Sequence, residues 1–161
     1  RNTSEGIEFN ANWKPTNSKF GLNFGYTFTD SYDASTCDPD ELASYADNEC
    51  RLTGNKVAKA KVRVPRHAVE TNISYSMNQN LKSFLKGKYI SETRDFGNTN
   101  DSWTDQILTD YFVFDLVHSY NLFNNYKIQI GINNIFDEKY QQAHEYSTMR
   151  RTFNFGLRKV Y

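Results

Sequence analysis

Residues 152–161 read TFNFGLRKVY. Phe153, Phe155 and Leu157 take every second position, and the residues between them are small or polar. Successive side chains of a β-strand point to opposite faces, so this stretch has one apolar and one polar face. A closed β-barrel can turn such an apolar face to lipid, because every backbone hydrogen bond is made between strands. The stretch therefore predicts a strand of a transmembrane β-barrel that reaches Tyr161.

The same two-residue period recurs upstream. It is clearest in residues 20–29, where every second side chain from Phe20 to Phe28 is aromatic or aliphatic. Further segments with this period lie at residues 6–13, 66–77, 112–120 and 126–133, and a weaker one lies at residues 81–89. We expect an all-β fold in which about seven antiparallel strands turn their apolar side chains outward. This outward set includes Phe24, Ile73, Ile130 and Phe155.

The predicted connections between strands alternate in length. Short turns fall at residues 14–18, 78–80 and 121–125, and long polar segments fall at residues 31–64, 92–110 and 137–149. Bacterial outer-membrane barrels have short periplasmic turns and long extracellular loops. A soluble β-sandwich has no reason to sort its loops by length. The alternation therefore places the long segments outside the cell.

Aromatic residues lie at both ends of the predicted strands. The periplasmic rim would contain Trp13, Phe20, Tyr75, Tyr120 and Tyr126, and the outer rim Phe28, Tyr89, Phe112 and Phe153. Such girdles are typical of the two interfaces of a membrane. About ten residues rising about 3.3 Å each at a tilt of about 40° cover roughly 25 Å, the height of the apolar band.

The composition excludes some classes of protein and leaves others open. The 161 residues carry 19 basic and 19 acidic side chains, and the mean hydropathy is −0.76. No apolar run approaches the roughly 18 residues that a spanning helix needs. The neutral balance gives no support to a nucleic-acid partner. A water-soluble all-β domain and an outer-membrane barrel both fit these values.

The two cysteines lie in the first long segment. Twelve residues rich in Asp, Ser and Ala separate Cys37 from Cys50, with no histidine or second cysteine pair nearby. This spacing does not match a zinc site and favours a disulfide over two free thiols. A disulfide would place the segment in the periplasm or the cell exterior. Its closure would stabilise the fold by about 3 kcal/mol in the chain-entropy estimate.

Seven strands do not close a bacterial barrel, which has an even number from about eight upward. Residues 1–8 show no basic start followed by an apolar stretch, so they do not resemble an export signal. We therefore expect residues 1–161 to be the C-terminal part of a larger barrel. A complete eight-stranded barrel would need a further strand within the long loop, where residues 53–64 are too basic to favour one.

A family resemblance begins with residues 131–140, which read GINNIFDEKY. They resemble the penultimate strand and loop of TonB-dependent outer-membrane receptors, where Asn-Leu-Phe-Asp-Lys-Lys-Tyr follows a small and a hydrophobic residue. Residues 146–151 are similar to the family's Tyr-x-Thr-Pro-Gly-Arg, although Met149 and Arg150 replace Pro and Gly. Lys159 also stands where an aromatic is common. Earlier similarities lie at residues 4–8, like Ser-x-Gly-hydrophobic-Glu, and at residues 64–67, like the Arg-x-Pro-Arg-His onset of a strand.

The resemblance implies a barrel of roughly 22 strands in the bacterial outer membrane, filled by an N-terminal plug and energised by the TonB complex. The plug, the TonB-contacting segment and the N-terminal strands are expected outside residues 1–161. Vitamin B12 receptors look most similar, followed by ferric siderophore receptors. The implied partners are outer-membrane lipid, the TonB complex and a ligand such as cobalamin or a ferric siderophore. Transport without covalent chemistry and without a cofactor is expected.

Several charged residues are candidates for ligand contact. The first long segment is acidic over residues 30–50 and basic over residues 51–66, which could hold Ca²⁺ or anionic groups. Its spacing matches no calcium loop, so a solvated loop is favoured and no metal site is assigned. The lysines expected to point inward could guide an anionic ligand or line a polar lumen: Lys82, Lys86, Lys88 and Lys127. The substrate-binding residues are not assigned by the sequence.

The sequence gives little support to an enzyme. His67, His118 and His144 lie far apart, and no Ser or Cys is placed to act with them as a nucleophile. Asp105, Asp110 and His144 are the only loose candidates, so no catalytic residue is expected. Arg150 and Arg151 are interpreted as ion-pairing residues. Two other functions stay open, namely a small structural or adhesive outer-membrane barrel without active transport and a secreted all-β binding domain.

Overall fold

The structure is a computed structural model that describes residues 2–33, 50–53, 56–99, 102–123 and 125–159. These residues contain thirteen strands. They are β1 (Asn2–Trp13), β2 (Phe20–Asp33), β3 (Cys50–Thr53), β4 (Lys56–Ala60), β5 (His67–Ser76), β6 (Leu81–Ile90), β7 (Thr93–Thr99), β8 (Ser102–Leu108), β9 (Tyr111–Leu122), β10 (Tyr126–Asn133), β11 (Gln141–Ala143), β12 (Tyr146–Ser147) and β13 (Thr152–Lys159). No helix in the described part of the chain is long and apolar enough to cross a membrane.

Seven long strands form one antiparallel wall. Their order is β1-β2-β5-β6-β9-β10-β13, so each pairs with the long strand that follows it in sequence. The predicted all-β antiparallel fold and its seven segments are confirmed. β9 (Tyr111–Leu122) is longer than predicted at both ends. β1 begins at Asn2 and β2 continues to Asp33, also beyond their predicted bounds. These two ends pair with each other.

The outward side chains form continuous rows across the wall. Leu85 faces Leu116, Leu116 faces Ile132, and Ile132 faces Phe153. Phe153 and Phe155 are 74% and 73% exposed on this chain. A slip of one residue in any strand would turn its set to the other face. The alignment of the rows therefore confirms the predicted sidedness, and the large exposed apolar surface suits contact with lipid.

The opposite face of the wall is polar. One row across it consists of Asn12, Asn23, Asn72, Lys86 and Asp115. The other lysines predicted to point inward lie on this face too: Lys82, Lys88 and Lys127. A polar inner face beside a lipid-facing apolar one is the arrangement of an outer-membrane barrel.

Aromatic contacts occupy both predicted rims. At the end with short turns, the rings of Phe20 and Tyr75 stack with centroids 4.5 Å apart. Lys159 places its ammonium group 6.0 Å from the centroid of the Tyr126 ring, so it covers that rim without breaking it. At the other end, the centroids of Tyr89 and Phe112 are 4.4 Å apart.

One polar pair interrupts the outward face. His118 lies opposite Ile130 on one side and Ser83 on the other. The distance between Ser83 Oγ and His118 Nδ1 is 2.8 Å, a hydrogen bond within the apolar surface. The sequence predicts an outward His118 from its position alone, and its hydrogen bond to Ser83 reduces the cost of placing an imidazole there.

The long segments contain short strands where the sequence predicts only loops, and that prediction is wrong. Within residues 31–64, β3 pairs with β4, and β4 extends the wall only at Tyr32↔Ala60 and Asp33↔Lys59. Within residues 92–110, β7 pairs with β8, and within residues 137–149, β11 pairs with β12. A hairpin in water needs no apolar face, so its strands can lack the period that identified the wall. None of the three hairpins adds an eighth strand across the wall.

Several predictions fall where the structure makes no statement. Cys37 lies outside the described residues, and only the backbone of Cys50 is described, in β3. The disulfide therefore stays a prediction. Tyr161 also lies outside the described residues, as do residues 34–49, which make up most of the acidic stretch.

Candidate functional site

One cavity lies on the inner face of the wall, towards the end that carries the long segments. Its volume is about 150 Å³, and β5, β6 and β9 supply most of its lining. The polar lining includes Glu70, Lys86, Lys88, Tyr111, Asp115, Tyr140 and Gln142. Ammonium, carboxylate, phenol and amide groups therefore meet in one small space.

The charges of this cavity are balanced. Lys88 Nζ lies 3.8 Å from Glu70 Oε1, with 44% and 65% of the two side chains exposed. Lys86 lies opposite Asp115 in the register of β6 and β9. Exposed pairs of this kind contribute little to stability. The lysines can therefore exchange their carboxylate neighbours for an anionic ligand at low cost.

Two tyrosines form an aromatic platform beside the lysines. The centroids of Tyr111 and Tyr140 are 4.2 Å apart and their planes differ by 30°. Tyr111 begins β9 and is 8% exposed, whereas Tyr140 comes from the segment after β10. A stacked pair with one partly exposed ring gives a ligand a flat apolar contact next to positive charge.

Asn134 directs the chain that carries Tyr140. Its φ of 52° lies in the left-handed region, which asparagine tolerates better than most residues. Its Oδ1 accepts the N–H of Glu138 at 2.8 Å, and its Nδ2 donates to the oxygen of Glu138 at 2.9 Å. Its own N–H donates to Asp115 Oδ1 at 2.8 Å. These bonds fold the segment back onto β9, where the Phe136 ring meets Phe114 edge-on.

An ion pair closes the same segment before β13. Arg150 Nε donates to Asp137 Oδ1 at 2.8 Å, and a second N–H of Arg150 donates to Asp137 Oδ2. The Arg151 N–H donates to Asp137 Oδ1 at 2.9 Å. The Arg150 hydrogen bonds, followed by that of Arg151, lower the pKa of the Asp137 carboxyl to about 2. The ion-pairing prediction is confirmed for Arg150, and Arg151 contributes its backbone N–H.

A second groove continues the polar inner face towards β1. Its volume is about 320 Å³, and it is lined by Asn10, Asn12, Asn23, Glu70 and Asn72. It shares Glu70 and Asn72 with the cavity. Amide and carboxylate side chains therefore follow one another across the inner face from β1 to β9.

The structure brings together only part of the predicted candidate residues. Lys86 and Lys88 line the cavity, whereas Lys82 and Lys127 lie near the end with short turns. His67 and His118 are on the outward face, and His144 is in the turn between β11 and β12. In the described ranges, no group of three or more His, Cys, Asp or Glu is placed to hold a metal ion.

The sequence does not predict Tyr111, Tyr140 and Gln142 as site residues. Tyr140 closes the family string at residues 131–140, and that string was the only signal available. Gln142 lies in β11, inside a stretch treated as loop. Their meeting with β6 depends on how the segment folds back, which local sequence does not show.

Comparison with known proteins identifies the family. The family model described as TonB dependent receptor-like, beta-barrel matches residues 1–135. No curated protein matches the chain.

Three solved structures illustrate the shared fold. The ferripyoverdine receptor of the outer membrane of Pseudomonas aeruginosa, bound to ferripyoverdine, aligns with 98% of this chain and 19% of its own, at a TM-score of 0.73 and 16% identity. The siderophore receptor PiuA from Acinetobacter baumannii aligns with 98% of this chain and 20% of its own, at a TM-score of 0.61 and 18% identity. The FrpB iron transporter from Neisseria meningitidis aligns with 97% of this chain and 23% of its own, at a TM-score of 0.67 and 12% identity.

The chain thus spans about a fifth of the length of the solved structures that it matches. At these identities the likeness shows the fold, and the family model carries the assignment. The two-faced wall, its unequal connections and the match over residues 1–135 agree. The chain belongs to the TonB-dependent receptor-like β-barrel family of the bacterial outer membrane.

Proposed function

We propose that residues 1–161 are the C-terminal barrel section of a receptor that imports a large, scarce nutrient of the ferric siderophore or vitamin B12 type. The TonB complex supplies the energy through a part of the receptor that precedes this section. The single observation that carries the proposal is the family match over residues 1–135. The structural neighbours named as siderophore receptors make ferric siderophores the first ligands to test.

The edges of the wall support a larger barrel. Among the described residues, β1 pairs with β2 and β13 pairs with β10, so each has one paired side. Unpaired backbone groups in lipid are costly, and barrels avoid them by closing. The proposed receptor therefore contains further barrel strands that pair with β1 and β13.

The cavity supports binding without covalent chemistry. Lys86 and Lys88 offer positive charge, and the stacked Tyr111 and Tyr140 offer an apolar surface. An anionic chelate with flat or ring-shaped parts could contact both kinds of group. The proposed role of this section is to form part of the wall and part of the vestibule in which the ligand binds before transport.

The test uses the complete receptor in a strain without other receptors for these ligands. Uptake of ferripyoverdine, other ferric siderophores and cobalamin is measured with TonB intact and with TonB deleted. We expect uptake of at least one ligand and its loss without TonB. Uptake that continues without TonB, or binding of none of the ligands, would contradict the proposal and favour a structural or adhesive barrel.

A matched pair of lysine variants tests the cavity. Lys88→Ala removes an ammonium group from the cavity, whereas Lys127→Ala removes one from the same face near the short turns. Loss of a charge-assisted hydrogen bond of about 1.5–3 kcal/mol would weaken ligand binding about 10- to 150-fold in Lys88→Ala. Equal affinities for the two variants in equilibrium binding would exclude the cavity as a contact.

A further inference from the structure

Asp95 of β7 is a buried carboxylate outside the wall. It is 1% exposed, although it lies in a short hairpin among the long segments. Its Oδ1 accepts Arg63 Nε and the Phe96 N–H, both at 2.8 Å. Its Oδ2 accepts the His144 N–H at 2.6 Å. Arg63, β7 and His144 belong to three different long segments, so one carboxylate joins all three.

The packing around Asp95 reinforces these bonds. The backbone N–H of Arg63 donates to the backbone carbonyl oxygen of Arg94 at 2.8 Å. Arg94 Nη1 donates to the backbone carbonyl oxygen of Ala60 at 2.6 Å. The backbone of Gly97 packs closely against His144, because a Cβ at residue 97 would lie 2.5 Å from the His144 ring. Backbone, side chains and van der Waals contacts therefore fix β7 to residues 60–63 and to residue 144.

We infer that Asp95 is a positioning residue: it locks residues 60–63, the β7–β8 hairpin and the β11–β12 hairpin into one unit and so holds Tyr140 and Gln142 over the inner cavity. His144 is two residues beyond Gln142 in the same hairpin. The hydrogen bond from His144 to Asp95 therefore fixes the position of the hairpin that lines this side of the cavity. The effect on ligand binding rests on the proposed function. The lock itself does not.

The chemistry of the lock requires a carboxylate. Burial opposes ionisation of Asp95, but the His144 N–H, the Arg63 guanidinium and the Phe96 N–H outweigh it and lower the pKa of that carboxyl. Among the described residues, the hydrogen-bond partners of its two oxygens are all donors. An asparagine of the same shape would turn an NH₂ group towards one of these donors, and it would leave the Arg63 charge without its partner.

The test is hydrogen exchange of backbone amides in the complete receptor, without ligand. Asp95→Asn and Gly97→Ala reach the lock by two routes, and Glu145→Gln is the matched control beside His144. Glu145 is 71% exposed at the side chain, and its carboxylate lies 3.8 Å from His144 Nε2. We expect exchange in residues 140–147 and 60–63 to rise about tenfold or more in the first two variants. We expect the control, and strand β9 in all variants, to keep wild-type exchange.

Three results would overturn the inference. Wild-type exchange of residues 140–147 in both Asp95→Asn and Gly97→Ala would show that Asp95 does not hold the three segments together. An equal rise of exchange in β9 would show a general loss of stability instead. A loosened hairpin with unchanged affinity for ferripyoverdine would remove the positioning role. If the receptor binds no siderophore or cobalamin at all, the proposed function fails, and the exchange measurement still decides the lock.

Discussion

Replacement of Phe155 by arginine tests whether the outward face meets lipid. Phe155 pairs with Ile130 in the middle of β13, and it is 73% exposed. It is three residues from Thr152 and four from Lys159. At about 3.3 Å per residue and a tilt of about 40°, it lies roughly 8–10 Å in depth from either end of the strand. Such a side chain is close to the midplane of the apolar band.

The expected cost follows from that depth. An arginine near the midplane of an outer-membrane barrel costs about 2–4 kcal/mol, which is roughly a 30- to 900-fold loss in the folding equilibrium. Asn154 is the matched control, because it lies next in the strand but faces inward opposite Gly131. We expect Asn154→Arg to change stability by less than about 1 kcal/mol, since the inner face is solvated and polar.

The assay is guanidinium unfolding of the complete receptor in lipid vesicles, followed by tryptophan fluorescence. Phe155→Arg should unfold at a clearly lower denaturant concentration than Asn154→Arg with a similar slope. Equal midpoints for the two variants would refute the assignment of the outward face to lipid. The result does not depend on the identity of the ligand.

The remaining predictions concern single contacts. Asn134→Ala removes all three side-chain hydrogen bonds of a residue that is 4% exposed. The free energy of unfolding should therefore fall by about 1–3 kcal/mol, and wild-type stability would contradict this. Because the pKa of Asp137 is lowered to about 2, its pairing with Arg150 is complete above the ordinary carboxyl pKa and is lost as the pH falls through about 2. The backbone amides of residues 148–151 should stay protected from hydrogen exchange, after correction for the intrinsic rate, down to that pH in wild type but not in Arg150→Gln. Identical dependence of protection on pH in the two proteins would exclude a stabilising role of the ion pair. Ser83→Ala leaves His118 unpaired on the lipid face and should destabilise the vesicle-bound protein by about 1 kcal/mol; the double variant with His118→Leu should recover most of this loss, and additive losses would argue against the pair.

The wall could be predicted from the sequence, because its strands have to satisfy two solvents at once. The predicted and observed bounds of Tyr126–Asn133 agree, and even His118 was assigned to the correct face by position alone. Lipid on one side and water on the other impose a period of two, and that period is visible in a single sequence.

The lock at Asp95 could not be predicted, for an equally physical reason. Thr-Arg-Asp-Phe-Gly at residues 93–97 has no marked period and is typical of a solvated turn. Asp95 is buried by His144, which is 49 residues away in sequence. Tyr111 and Tyr140 likewise meet only because Asn134 turns the chain back. Tertiary contacts of this kind leave no local pattern.

The strict alternation of the wall limits how such a gene can change in length. Loss of one codon in β9 before Asp115 would turn Leu116 towards the channel and Asp115 towards the membrane. Every later residue up to the next turn would also change face. Viable insertions and deletions should therefore be confined to the segments that join the strands, or come as whole hairpins. Among related barrels, differences in length should therefore accumulate in the connecting segments, while the membrane-embedded strands keep a constant number of residues.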